Sequence, residues 1–393
     1  MSLFDRLMAP SLPPELTDHI IDYLHDDSCA LAACALTCRQ WLPAARYHSF
    51  GAVTLVPHRC ETFAELIAVS PELALAVRSV KLRSLANGSR VWHRADLSFL
   101  TALTAATDFF LDTMRVGETV HEAFVQGLSA VRRLTAHNCW FATLYDFAAL
   151  VSSFQCLEFL SMSILIDDPD ARGPPLPSLP DRLQVIELGD LEWDRMPAAA
   201  LFEWIKDVPN PQQLVGMSCH VIWEVWPTQA ILAICGSHLQ HFELVIKTEG
   251  SLDRILGKAG FSLSECTSLQ TFTLRLWLAE MCVPENQDLL WIPRLFSQLH
   301  APHLHQITLS LHVDDMMDLR TLASENAVRQ LTKANHADLT ALDWASMHAT
   351  LAREDLSSLR KFVIEGRGPT DALEAYIEHE YPELHQRAVI VLA

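Results

Sequence analysis

The sequence predicts an α/β protein in which a helical N-terminal module precedes a solenoid, curved as a horseshoe with parallel strands on its concave side and helices outside. Two observations predict this. Segments with apolar residues in the order h-x-x-h-x-h recur along the 393 residues, with middle residues Val53, Val80, Phe109, Leu134, Leu160, Ile186, Met217, Phe242, Phe272 and Ile307 in steps of 25 to 35. The last apolar pair of each segment alternates as a strand does, whereas the stretches between them keep apolar residues three and four apart, the helical spacing.

The first fifty residues read as three short helices. Leu12-Pro13-Pro14-Glu15 places prolines where a first turn tolerates them and an acid where the helix dipole favours one. Leu16, Ile20 and Leu24 with Ile21 then make an apolar stripe. Asp26-Asp27-Ser28 offers caps for a second helix through Leu31, Cys34, Ala35 and Cys38, and a third closes near Ser49. Helices of about ten residues are unstable alone. They need a partner surface.

Leu12-Pro13-x-Glu15-Leu16, Ile20, Ile21, Leu24, Leu31, Leu36 and Cys38-Arg39-x-Trp41 together resemble the F-box, over residues 8–50. The resemblance implies that this module docks on a Skp adaptor, which joins a cullin-RING ubiquitin ligase, while the rest of the chain selects a protein substrate. It also implies an adaptor-facing set of Leu12, Pro13, Leu16, Ile20, Leu24 and Trp41, with Leu31 and Leu36 structural.

Helices are expected at Glu61 to Ala68, Thr119 to Leu128, Thr143 to Ser153, Pro197 to Asp207 and Thr228 to Cys235. One strand and one helix per repeat is the leucine-rich-repeat recipe, here degenerate over 51–393: the usual Asn after the strand is mostly missing, with Asn138 the nearest candidate. Irregular repeats of this kind resemble those following the F-box in fungal F-box proteins. After Val313 the spacing fails. Asp315 to Ala334, Asp343 to Arg353 and Thr370 to Glu380 look helical, and Ala388 to Leu392 reads as a closing strand. Residues 167–180 hold five prolines and a glycine, which predicts an exposed loop.

Composition narrows the function classes. The charge of −19, from 48 acids against 29 bases, repels phosphates, so nucleic acid is not an expected partner. The N-terminus has no secretory pattern, and no apolar run reaches the roughly 18 residues of a membrane span. We therefore expect a soluble cytoplasmic or nuclear protein without a membrane partner. The ten cysteines lack any C-x-x-C pair and sit among apolar neighbours, which predicts buried reduced thiols.

No motif points to catalysis. His300-x-x-His303-x-His305 lacks a Cys or carboxylate at ligand spacing, and the Asp167 and Asp314 acidic runs lack the features of a calcium loop, so no metal or cofactor is expected. A Gly-x-Ser-x-Gly elbow is missing, and no nucleophile stands beside a base. The expected protein is a non-catalytic receptor; the alternative is a hydrolase-like α/β enzyme with an accidental F-box resemblance. In a horseshoe, residues between the apolar strand positions face the concave side, from Lys81 and Arg83 through His137, Ser163 and Glu187 to Ser310. Among them Arg83, Glu187, Glu243 and Arg275 are the expected substrate contacts.

Overall fold

The structure, a computed structural model, describes residues 13–84, 92, 97–168, 174–189, 198–221, 226–248, 261–278, 291–313, 344–365, 378, 379, 382 and 389–392. Two compact units divide the chain, Met1–Leu157 and Glu158–Ala393.

The first unit opens with helices α1 (Pro14–Tyr23), α2 (Ser28–Thr37) and α3 (Leu42–Gly51). Each starts for a reason visible in the sequence: Pro14 and Pro43 occupy first-turn positions, and the Asp27 side chain accepts from the Cys29 and Ala30 amides at 3.0 and 2.9 Å. Strands β1 (Ala52–Leu55), β2 (Ser79–Arg83), β3 (Asp108–Asp112), β4 (Arg115–Val116) and β5 (Arg133–Phe141) follow, with helices α4 (Cys60–Val69), α5 (Glu118–Gly127) and α6 (Leu144–Ser153) among them. The strands are parallel in the order β1-β2-β3-β5, with β4 extending alongside β5. A full capping box starts α6, where Thr143 and Asp146 bond reciprocally.

The second unit carries β6 (Phe159–Ile166), β7 (Val185–Leu188), α7 (Ala198–Lys206), β8 (Gly216–Val221), α8 (Trp226–Cys235), β9 (His241–Thr248) and β10 (Thr271–Leu278). It continues with α9 (Trp291–Ser297), β11 (Gln306–Val313), α10 (Trp344–Leu351), β12 (Lys361–Glu365) and β13 (Val389–Leu392). These strands are also parallel and succeed one another in chain order without reversal. The middle and last apolar residues of all ten h-x-x-h-x-h segments fall in strands, as do Phe362 and Ile364 of the further segment Leu359-x-x-Phe362-x-Ile364, and the closing strand is β13.

The repeat has a physical basis in three positions. Its first apolar residue precedes the strand and is buried, as at Val77, Val131, Leu214, Leu269 and Leu304. The residue after it donates its amide to the matching carbonyl one strand back: Val215 to Gln184, Gln240 to Val215, Gln270 to Gln240 and His305 to Gln270, at 2.7 to 2.9 Å. The two later apolar residues point to one face, where in-register rows such as Ile186, Met217, Phe242, Phe272, Ile307 and Phe362 are buried. Helices reach the sheet on this apolar face. Phe124 of α5 meets Phe109 at 4.9 Å, and Phe296 of α9 meets Phe272 at 5.9 Å and Phe362 at 6.4 Å, all edge-on.

Several expectations change on folding. Thr113, just past β3, and Asn138, within β5, follow the paired Asp112 and His137, and both have positive φ (55° and 50°). Asn138, expected after the strand, lies inside one that runs on to Phe141. Residues 174–180 have no regular structure but are not simply exposed: Leu179 and Pro180 are buried, and Pro177 O accepts from Trp204 Nε1 at 2.6 Å. Ser163 and Ser310 are buried as well, not open to solvent on the polar face. Cys29 and Cys38 are exposed, whereas burial pushes Cys139, Cys235 and Cys266 up to about 12 and Cys219 higher still.

Trp204 and Trp291 are buried, while Asp315 to Ala334 and most of Thr370 to Glu380 lie outside the described residues. No helix among the described residues is long and apolar enough to cross a membrane.

Candidate functional site

Two surfaces collect the residues that the sequence singles out. The first is on the three N-terminal helices. Their core is Ile21, Leu31, Cys34 and Ala45, with Leu24, Ala35, Trp41 and Ala44 packed against it. At 100° per residue α1 presents two stripes, each i, i+4, i+7. Thr17, Ile21 and Leu24 turn inward; Leu16 (52% exposed), Ile20 (44%) and Tyr23 (88%) face out. The single stripe expected from the sequence is thus divided, with Leu24 and Trp41 half-buried in the module and Leu16 and Ile20 on its surface.

Pro13 is exposed, and Leu12 lies outside the described residues. Leu31 is buried as expected of a structural residue, but Leu36 is 88% exposed at the far end of α2. Tyr23 and Leu36 were not separable by spacing alone, because an apolar core and an apolar surface stripe share the same period. A hydrogen bond links α1 to α3, with His48 Nε2 2.7 Å from Asp22 Oδ1.

The second surface is the polar face of the strands. In Met1–Leu157 the Asp112 carboxylate gathers two cationic side chains and an imidazole, with Lys81 Nζ at 2.9 Å, Arg83 Nε at 3.5 Å and His137 Nδ1 at 3.4 Å. Arg83 is exposed there, and Asp112 was missed in the sequence because it is conspicuous only once β2, β3 and β5 are in register. Burial pushes the Asp112 carboxyl up, but hydrogen bonds from Lys81, Thr113 and His137 outweigh it and hold it below the usual 3.8.

A carboxyl lowered in the folded state contributes stability that is fully present above its unfolded value and is lost as pH falls through the folded one. Asp112→Asn should therefore lower the urea midpoint at pH 6, and the deficit should shrink at pH values below 3.8. A deficit of constant size across that range would show that charge is not what Asp112 contributes.

In Glu158–Ala393, taken by itself, the polar side of the strands forms a groove of about 380 Å³ from β7 to β12. It brings together three of the four expected contacts, Glu187, Glu243 and Arg275, and adds Ser218, His241 and Glu365. Arg275 Nη2 stands 3.0 Å from Glu243 Oε1, and Ser218 Oγ donates to Glu243 Oε2 at 2.9 Å. His300, by contrast, pairs with Asp355 at 3.0 Å beside Arg353, on a different stretch of the unit. Among the described residues no group of three or more His, Cys, Asp or Glu side chains is placed to hold a metal ion.

No curated protein matches the chain. Residues 9–50 match the family model described as F-box-like, and domains of that family generally bind a Skp adaptor in Skp–cullin–F-box assemblies. The matched range covers α1, α2 and nearly all of α3, so the three helices with their outward Leu16, Ile20 and Tyr23 are an F-box-like domain.

Proposed function

We propose that the protein is the substrate-recognition subunit of a Skp–cullin–F-box ubiquitin ligase, in which the F-box-like domain holds a Skp adaptor and the strand face holds a protein substrate. The observation that carries this reading is the outward apolar stripe of α1 on a helical module that matches the F-box family. Leucine and isoleucine side chains left half in water on a ten-residue helix gain free energy by being covered. Pro13, Leu16 and Ile20 are then adaptor contacts, joined by Tyr23 and Leu36, while Leu24 and Trp41 hold the helices at the contact angle.

In this reading residues 51–393 are degenerate leucine-rich repeats of the horseshoe type, supported by strand–helix units whose parallel strands follow chain order. The polar side of their strands carries Arg83 in the first unit, and Glu187, Glu243 and Arg275 in the second, for a substrate. The receptor contributes no catalytic group, since ubiquitin transfer belongs to the cullin-RING partner, and it acts in the cytoplasm or nucleus. Neither a cofactor nor nucleic acid is part of the reading. Co-purification of the full chain with a recombinant Skp adaptor tests it directly: a stoichiometric complex is expected, and failure of the two proteins to associate would sink it.

A further inference from the structure

We propose that the groove on the polar face of Glu158–Ala393 takes an extended polypeptide segment with two basic side chains, one meeting Glu187 and the other Glu365. The inference rests on the reading of this face as the substrate surface and names the substrate's chemistry.

Charge is distributed unevenly along the groove. Across the strands, Glu187, Ser218, Glu243, Thr273 and Thr308 stand in register in one row. Glu365 belongs to the next row, with Ser310 and Arg275. Glu243, in the middle, is neutralised by Arg275 at 3.0 Å and receives the Ser218 hydroxyl at 2.9 Å. The guanidinium thus leans toward β9, away from β12. Glu187 and Glu365, at the two ends, are half-buried and have no ion pair or hydrogen bond among the described residues.

A carboxylate partly withdrawn from water without a partner has lost solvation that a lysine or arginine would restore. Among the described residues the groove therefore has two carboxylates with no cation beside them and a neutral centre floored by small hydroxyls. Its volume of about 380 Å³ holds a few side chains rather than a folded element.

Geometry sets the spacing. From β7 to β12 there are five strand intervals, roughly 24 Å at about 4.8 Å each, which an extended chain covers in about seven residues. A segment laid across the strands would place basic residues about seven apart over Glu187 and Glu365, with small polar residues between. The net charge of −19 steers such a segment toward the protein.

The test uses the full chain bound to its Skp adaptor and a fluorescein-labelled twelve-residue peptide of serine and threonine carrying two lysines seven positions apart, read by fluorescence anisotropy at about 0.15 M salt. Binding is expected, at least about tenfold tighter than that of the peptide with glutamates in place of lysines. Glu187→Gln and Glu365→Gln should each weaken it about fivefold to tenfold, the range of a partly desolvated charge pair. Glu203→Gln, on the exposed side of α7 with Lys206 at 3.6 Å, should leave it unchanged.

The proposal is overturned if the lysine peptide does not bind, if Glu203→Gln costs as much as the groove variants, or if spermidine alone binds as tightly, since a small polycation would then be the fitting ligand. Adaptor capture by the same preparations separates the two readings. Lost peptide binding with intact capture removes only this inference, and lost capture by the unsubstituted chain removes the ligase reading.

Discussion

The double substitution Leu16→Asp with Ile20→Asp should abolish adaptor capture, a loss of at least about 100-fold, while leaving the fold intact. Both side chains lie on the outer stripe of α1, at 52% and 44% exposure, so neither substitution touches the buried cluster of Ile21, Leu31, Cys34 and Ala45. In an apolar interface each aspartate would place a charge without a partner against a desolvated surface, and truncating one anchor of such a contact already costs about 2 kcal/mol or more. Two together exceed the 2.7 kcal/mol or so that corresponds to 100-fold.

Leu24 is the wrong position for this experiment. Packed against the cluster, an aspartate there would unfold the module and lose binding for a trivial reason. Pull-down with purified adaptor, together with an unchanged circular dichroism spectrum and melting temperature, is the measurement. Undiminished capture would move the adaptor contact away from α1.

Phe272→Ala should cost about 3 to 5 kcal/mol of stability, the usual range for emptying a phenylalanine site in a core. Phe272 is fully buried, stacked on Phe242 at 5.9 Å and met edge-on by Phe296 of α9 at 5.9 Å. Phe296 also touches Phe362 two strands away, so the cavity would loosen a contact that ties β10, α9 and β12 together. The neighbouring Thr273→Ala, on the groove side, should stay within about 0.5 kcal/mol. Urea unfolding of both variants decides the point: similar midpoints would mean that the two faces of the strand are not energetically distinct.

That contrast between adjacent residues is also where sequence and structure part company. The strand positions of the array were legible because a strand buried on one face must alternate, and because each unit repeats the same buried residue just before its strand. Val215, Gln240, Gln270 and His305 fall into their hydrogen-bonded row as a consequence of that repeat. The helix starts were legible for a similar reason: Pro14, Asp27 and Thr143 act through groups within three residues of themselves.

What lies across strands was not legible. Asp112 acquires Lys81, Arg83 and His137 only when β2, β3 and β5 align, and nothing local to Asp112 announces it. Glu365 joins Glu243 and Glu187, the latter 178 residues earlier in the chain, in one groove, from a position where the spacing of the repeats had already failed. The two stripes of α1 were merged for a different reason. Apolar periodicity records which residues avoid water in the finished assembly, and it does not distinguish a residue buried within its own module from one kept apolar for a partner. By itself the sequence determined the alternation of elements, their caps and the F-box-like opening, all of which depend on interactions over a few residues. Only the tertiary structure decided which charged side chains share a surface and which side of α1 is left open, because both depend on register between segments whose order in space no local signal encodes.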